Sequence, residues 1–426
     1  MSVKAVNSPA PMSEPMPRGS CDRWRGNAEI VLDLSRLLSR SLHPTPTGVD
    51  RVEMAYARTL KRLIPNRLRF GAVHPTGLYG RLSAQAVDEF LDRTEERWES
   101  VGGSERPAEA CGHAMKQCWS LRPQAIMPPT IPRVVLQVSP HHLQHCRIVA
   151  SKLRRERARF VCMVHDIIPI THPEYTRPSD PARHRRLLQT IDAFADGILI
   201  NSNATLEALL ARMGAPLRRR PMTVAHFGVD IRHSPPRPTA VINRPYFVCM
   251  ATIEPRKNHL LLLHLWRSMV ELLGPGRTPK LILIGRRGWQ NENVVDMLDR
   301  CPGLRDVVQE LPQPPDADLR TLLRDARGIL LPSFAEGFDM PFTEALAAGV
   351  PVLASDIPVH REVGGEVPDY LDPIDGAGWR SAILDYAAPA SIRRAAQLKR
   401  LGRWHPTSWD THVQAALSVA EEVIAC

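Results

Sequence analysis

The strongest constraint on this chain is its rhythm, in which short, near-continuously apolar runs alternate with longer amphipathic stretches. AEIVLDL from Ala28, then LRFGAV, RVVLQV, FVCMV and GILIN, are separated by segments such as GVDRVEMAYARTLKRL and HRRLLQTIDAFA. A strand that is apolar on both faces must be covered on both faces, and an intervening helix supplies that cover while returning the chain for parallel pairing. The rhythm stops at IRHSPPRPTAVINRP, residues 231–245, where four prolines and no apolar period make a stiff linker. It restarts with YFVCMAT, KLILIG, DVVQEL, GILLPS and PVLAS, with helical segments following. The reading is α/β, with two doubly wound, Rossmann-like domains at 27–230 and 246–404 facing a cleft at the carboxyl ends of their strands. Residues 405–426 read as a terminal amphipathic helix, and the proline-rich residues 1–26 as a disordered leader.

At 426 residues the chain is too long for one ordinary core. Its 43% hydrophobic and 23% charged residues exclude a collagenous or wholly disordered chain. No apolar run approaches the roughly 18 residues of a membrane span, and none near the start has signal-peptide length, so a cytoplasmic protein is expected. Eight scattered cysteines without a C-x-x-C spacing read as buried thiols in a reducing compartment. Lys+Arg exceed Asp+Glu by 55 to 45, giving a net charge of +10. The excess is clustered at Lys152, Arg154, Arg155, Arg157 and Arg159, at Arg183, Arg185 and Arg186, and at Arg218 to Arg220. Such clusters suit an anionic surface, phospholipid or nucleic acid, or a solvated helix face. Six Tyr and nine Phe, with no basic-aromatic motif, argue against nucleic acid as a partner.

The most informative string is LLPSFAEGFDMPFTEALAAGVPVLAS, residues 330–355. A strand runs into a loop holding Gly337, Pro341 sits in a first helical turn, and Gly349 closes the helix. The helix N-terminus offers unpaired N–H groups and the positive end of its dipole to an anion, most naturally a nucleotide diphosphate. Glu336 and Glu344 flank it, and a carboxylate beside a phosphate site accepts hydrogen bonds from sugar hydroxyls. In ATIEPRKNH, Arg256 and Lys257 follow the first strand of the second domain, where two cations neutralise a diphosphate leaving group without metal. In MVHDIIPI, His165 and Asp166 stand at a strand end on the cleft edge. Gly48 of HPTPTGVDRV lies in a loop before a helix starting near Asp50, either for close backbone approach to a ligand or for the turn alone. HHLQHC holds His141, His142, His145 and Cys146, but ligands so close on one short segment rarely close a metal site. Trp289 in GRRGWQNE reads as a packing residue.

These strings resemble the family 4 (group 1) retaining glycosyltransferases of the GT-B fold, in particular bacterial mannosyl- and rhamnosyltransferase-like members. The family signature is a Glu-Gly-Phe-Gly loop, a second Glu inside a small-residue helix and a Gly-x-Pro-Val strand. Here Glu336-Gly337-Phe338 and Glu344 to Val352 stand in those places, with Pro255-Arg256-Lys257-Asn258 and Thr47 to Val52 as further matches. The resemblance implies that Glu344 holds the donor ribose, that Glu336 lies against the donor sugar, that Arg256 and Lys257 contact the donor phosphates and that His165 contacts the sugar. The implied catalytic set is His165, Asp166, Glu336, Arg256 and Lys257. The implied donor-binding set is Gly48, Arg256, Lys257, Glu336, Gly337, Phe338, Asp339, Met340, Pro341 and Glu344. Asp339 departs from the family's usual glycine, and a carboxylate there is unfavourable near a diphosphate unless it points to a sugar hydroxyl.

The expectation is a glycosyltransferase moving a mannose-like hexose from a nucleotide diphosphate sugar to a saccharide or lipid-linked acceptor in polysaccharide or lipopolysaccharide assembly. No metal or other cofactor is expected, and the inner face of an anionic membrane is a further expected contact. The rivals are a GT-B epimerase, which would use the same site without transfer, a phosphorylase, whose pyridoxal-binding lysine has no recognisable motif here, and a basic nucleic-acid-binding protein.

Overall fold

A computed structural model describes residues 28–425 apart from 42, 44, 75–76, 101–118, 215–216, 218, 230–243, 313 and 315. The expected leader, Arg218 and nearly all of the expected linker lie outside the described residues.

The first sheet holds β1 (Glu29–Asp33), β2 (Leu68–Val73), β3 (Tyr79–Leu82), β4 (Arg133–Gln137), β5 (Arg159–Val164), β6 (Gly197–Ile200) and β7 (Met222–Val224), in the order β3-β2-β1-β4-β5-β6-β7. All pairs are parallel except β2 with β3, which is antiparallel. The second sheet holds β8 (Tyr246–Met250), β9 (Lys280–Ile284), β10 (Val308–Leu311), β11 (Gly328–Leu331), β12 (Val352–Ser355) and β13 (Asp369–Leu371), in the order β10-β9-β8-β11-β12-β13. It is parallel throughout.

The period of two along a strand explains why these runs are apolar without a break. In β1, Ile30 and Leu32 point into one core and Val31 into the other, and all three are fully buried. In β8, Phe247 and Cys249 face one core and Tyr246 and Val248 the other. Each such side chain contributes roughly 1.5–3 kcal/mol relative to leaving it in water. His145-flanked Cys146 corrects the expectation of buried thiols: it is exposed and Cys301 half-buried, while Cys162 and Cys249 are buried.

The helix after the 43–47 loop spans Gly48–Leu63, two residues earlier than the sequence pattern placed it. The cause is a capping box, in which the Thr47 hydroxyl accepts from the Asp50 N–H and the Asp50 carboxylate accepts from the Thr47 N–H. Arg36 and Arg40 each pair with Asp50 at 2.7 Å. Lys152 is also not where its cluster suggested: it is buried, and its Nζ donates to Asp33 Oδ2 at 2.8 Å. It therefore leaves the basic surface.

The last helix, Trp409–Ala425, lies across the first sheet, where Val413, Leu417, Val419 and Val423 join that core. Gly197 of β6 makes room for it, since a Cβ there would stand 2.8 Å from both Val419 and Val423. His412 is wired into the same contact, its Nδ1 to the His226 carbonyl at 3.0 Å and its Nε2 to the Tyr56 hydroxyl at 2.8 Å. Among the described residues, no helix is long and apolar enough to cross a membrane.

Candidate active site

The site is built where the carboxyl ends of β8 and β11 meet. After β8, Pro255–Lys257 forms a short 3-10 turn that ends on Asn258 in the left-handed region, φ 55°. Asn258 tolerates that conformation, and its Nδ2 donates to the carbonyls of Pro332 (3.2 Å) and Pro373 (2.8 Å). The Phe334 N–H in turn donates to the Arg256 carbonyl at 2.9 Å. The Arg-Lys turn and the loop leading into the Met340–Ala347 helix are thus one hydrogen-bonded unit.

Within it, the guanidinium of Arg256 donates to the Ala335 carbonyl at 2.7 Å and pairs with Glu254 and Glu336, both at 2.5 Å. Lys257 Nζ stands 2.6 Å from Glu336 Oε1 and 3.3 Å from Asp339 Oδ1. Glu336 is thus held on both oxygens, Oε2 by Arg256 and Oε1 by Lys257. Burial works against the charges of Arg256 and Lys257, yet the facing carboxylates outweigh it and hold both pKa values above their ordinary ones. For Glu254 burial prevails over Arg256 and Lys257, and its pKa is raised.

The same loop touches the opposite domain. An ideal Cβ on Gly337 would stand 2.2 Å from the His165 carbonyl oxygen, so only glycine allows the loop to come this close. The Gly337 carbonyl accepts from Ser202 Oγ at 2.7 Å, and Phe338 is buried against Phe227 with ring centroids 4.9 Å apart. Phe338 was expected to bind the donor; its side chain instead belongs to the first domain's core. Glu362 of the second domain accepts from the N–H groups of Asn203 (2.7 Å) and Ala204 (3.1 Å) and pairs with His226 at 2.7 Å. Trp289 packs under the guanidinium of Arg177, 4.7 Å from the ring centroid, so its packing partner comes from across the cleft.

His165 Nε2 lies 2.7 Å from the Val138 carbonyl, which as an acceptor fixes the proton on that nitrogen. Desolvation pulls its pKa below the ordinary histidine value despite that hydrogen bond. Asp166 Oδ1 accepts from the Ile168 N–H at 3.0 Å, which turns the chain into the next short helix. Gly48 is the first residue of its helix rather than part of a loop, and a Cβ there would sit 3.5 Å from Met340 Sδ. Pro341 follows Met340 in the first turn of the Met340–Ala347 helix. Glu344, one turn in, lies 3.5 Å from Arg51 Nη1 and opens on a 480 Å³ cavity between the domains lined by Arg51, Arg58, Trp98, Arg320 and Trp409.

Asp339 corrects the sequence expectation most sharply. Its side chain is fully buried and taken up by the protein itself, Oδ1 3.3 Å from Lys257 Nζ and Oδ2 3.1 Å from His360 Nε2, so it does not open on the cleft to meet a sugar hydroxyl. Glu254, Ser202 and His360 were not singled out in the sequence, and Asn258 entered only as the last residue of the Pro-Arg-Lys-Asn string. Among the described residues, no group of three or more His, Cys, Asp or Glu side chains is disposed to hold a metal ion.

Comparison with known proteins fits this geometry. Residues 233–366 match the family described as glycosyl transferases group 1. The chain is 32% identical over 267 residues to O-antigen chain mannosyltransferase B of Escherichia coli, covering 60% of this chain and 68% of that one. It is 28% identical to the serotype-specific mannosyltransferase WbdA of Escherichia coli over 55% of this chain, and it spans only 30% of WbdA. Among solved structures, Anabaena HepE in complex with UDP-glucose superposes with a TM-score of 0.60 at 16% identity, covering 93% of this chain and 99% of that one. Sucrose-phosphate synthase of Thermosynechococcus elongatus gives 0.59 at 14%, with the same coverage. At such identities the likeness is one of fold, and the fold is GT-B.

Proposed function

The chain belongs to the group 1 glycosyl transferases, and on that premise we propose that it transfers mannose from a nucleoside diphosphate donor, with retention, to a saccharide or lipid-linked saccharide in polysaccharide or lipopolysaccharide assembly. The observation that carries this reading is Glu336, a nearly buried carboxylate that pairs with both Arg256 and Lys257 beside the N-terminus of the Met340–Ala347 helix. A donor diphosphate arriving at the N-terminus of the Met340–Ala347 helix takes Arg256 and Lys257 as its counter-ions, and Glu336, released from them, accepts from the sugar's hydroxyls. Glu344 accepts from the ribose. As the bond to the anomeric carbon breaks, its electron pair goes to the diphosphate, where Arg256 and Lys257 stabilise the growing charge, while the acceptor hydroxyl oxygen forms the new bond to that carbon on the same face and gives its proton to the departing phosphate oxygen. His165 lines the sugar position through its ring and holds the loop through its carbonyl. Mannose is favoured by the names of the curated relatives.

The test is a donor-hydrolysis screen across GDP-, UDP- and dTDP-sugars, with the anomer of the transferred sugar read by NMR. GDP-mannose as the best donor, with an α product, is the expected result. A different preferred sugar removes the mannose assignment, and an inverted product removes retention.

The acceptor side is proposed to meet an anionic membrane. The Cys146–Glu156 helix returns from the cleft, so exposed Arg154 and Arg157 and the start of β5 at Arg159 sit at the end of the domain away from the cleft. Arg183, Arg185 and Arg186 lie in the first turns of the adjacent Asp180–Phe194 helix, near the cleft rim, so the two clusters are not one patch. Beside the far cluster, Arg133 donates to the carbonyls of both Glu156 (2.8 Å) and Met127 (3.3 Å), and Met127 is 73% exposed. An exposed apolar side chain next to arginines suits a bilayer surface.

A further inference from the structure

Asp339 occupies a position where its chemistry is otherwise hard to justify. Its φ of 64° is the left-handed region, which strains an L residue and which glycine enters freely. It precedes the Met340–Ala347 helix, yet its side chain accepts no hydrogen bond from the helix's N–H groups. Instead both carboxylate oxygens are committed away from the cleft, Oδ1 to Lys257 at 3.3 Å and Oδ2 to His360 at 3.1 Å. His360 is itself fixed, with Nδ1 2.9 Å from the Ser355 carbonyl and its ring flat on Phe342 at 4.8 Å. Both ring nitrogens of His360 are thus taken up by oxygens, and the ring cannot turn away from Asp339.

The two carboxylates on Lys257 are therefore unlike. Glu336 keeps 6% of its side chain exposed and can be exchanged for a phosphate, whereas Asp339 has none exposed, is held from behind by His360, and stays. Resting on the donor-site reading above, we infer that Asp339, clamped by His360, is a permanent counter-charge to Lys257 that weakens the site's hold on the departing nucleoside diphosphate and so eases its release. It acts through Lys257 and is a positioning residue.

The test is calorimetric titration of GDP and of UDP into the full chain and into Asp339→Asn and Asp339→Gly. Asparagine keeps the shape and tolerates the left-handed backbone, and glycine relieves it, so both variants should fold; thermal melting checks this. Whichever nucleotide the wild type binds should bind both variants roughly three- to tenfold tighter, because a buried negative charge a few ångströms from the diphosphate has gone. A residue with only a packing role would leave affinity unchanged or weaker when replaced, and either result in Asp339→Asn overturns the inference. If the wild type binds neither GDP nor UDP, the donor-site reading itself fails and the inference falls with it.

Discussion

Arg51 Nη1 lies 3.5 Å from Glu344 Oε1, so the first long helix of one domain reaches the carboxylate assigned to the donor ribose in the other. The two side chains are 41% and 28% exposed, which limits this pair to roughly 0–1 kcal/mol. Glu344 is thus accessible enough to exchange Arg51 for a ribose diol. Glu344→Ala should weaken nucleotide binding by roughly 1.5–3 kcal/mol, the range for hydrogen bonds to a charged group, while Arg51→Ala should not weaken it. Calorimetry on both variants decides, and unchanged affinity in Glu344→Ala removes the ribose assignment.

Lys257→Met should lower the chemical rate more than it lowers affinity for the free nucleotide, because the cation acts on charge that grows as the diphosphate departs. Removing one partner of a buried ion cluster also leaves Asp339 uncompensated, so the melting temperature should drop as well, by the equivalent of roughly 3–5 kcal/mol. Single-turnover rates beside nucleotide titrations separate the two roles. Equal losses in both would make Lys257 a plain anchor.

Acid stability should fall over a definite window. Burial pushes His412 down to about 4, and its two hydrogen bonds suit the neutral ring, whereas an unfolded histidine titrates near 6.5. Below 6.5 the unfolded chain binds a proton that the folded chain refuses, so the stabilisation is complete above about 6.5 and lost as pH falls towards about 4. His259, pushed down to about 3 by burial, adds to the same loss. Urea midpoints measured from pH 7.5 to 4.5 should decline, and less steeply in His412→Asn. An identical slope in the variant would remove His412 from the effect.

Changing Arg154, Arg157 and Arg159 to Gln should reduce co-sedimentation with phosphatidylglycerol vesicles at low salt, each arginine contributing about 1 kcal/mol. The same change at Arg183, Arg185 and Arg186 should leave pelleting largely intact, since those side chains sit towards the cleft. Equal pelleting by all variants, or equal binding to neutral vesicles, would return the basic surface to a solubility role.

Much of this was legible in the chain because buried parallel strands announce themselves: β1, β4, β5, β8, β9 and β11 are apolar on both faces through their middle residues, with charged or polar residues only at strand ends. β3 was not, since its YGRL contains an arginine spent on buried Glu156 and on Glu29. β13 is only Asp369–Leu371, too short to show a period. Glu336, Glu344, Arg256 and Lys257 could be read from strings because their neighbours in sequence are their neighbours in space. The destinations of Asp339 and Phe338 could not. Asp339 is turned inward by His360, which arrives on a later helix, and Phe338 is claimed by Phe227, from the other half of the molecule.

The burial of Phe338 and the carbonyl contact of Gly337 bear on how acceptor specificity could be re-engineered. Exchanging the front half of the enzyme for that of a relative is an obvious route to new linkages, with the seam in the segment around 231–245. The seam is misleading, because the donor loop is seated on Ser202, His226 and Phe227, and Trp409 and His412 pack behind them. A graft that carries the front half alone should express as a melted or inactive hybrid. One that also transplants the closing helix, with residues 337 and 338 matched to their new seat, should keep donor hydrolysis while adopting the incoming acceptor preference.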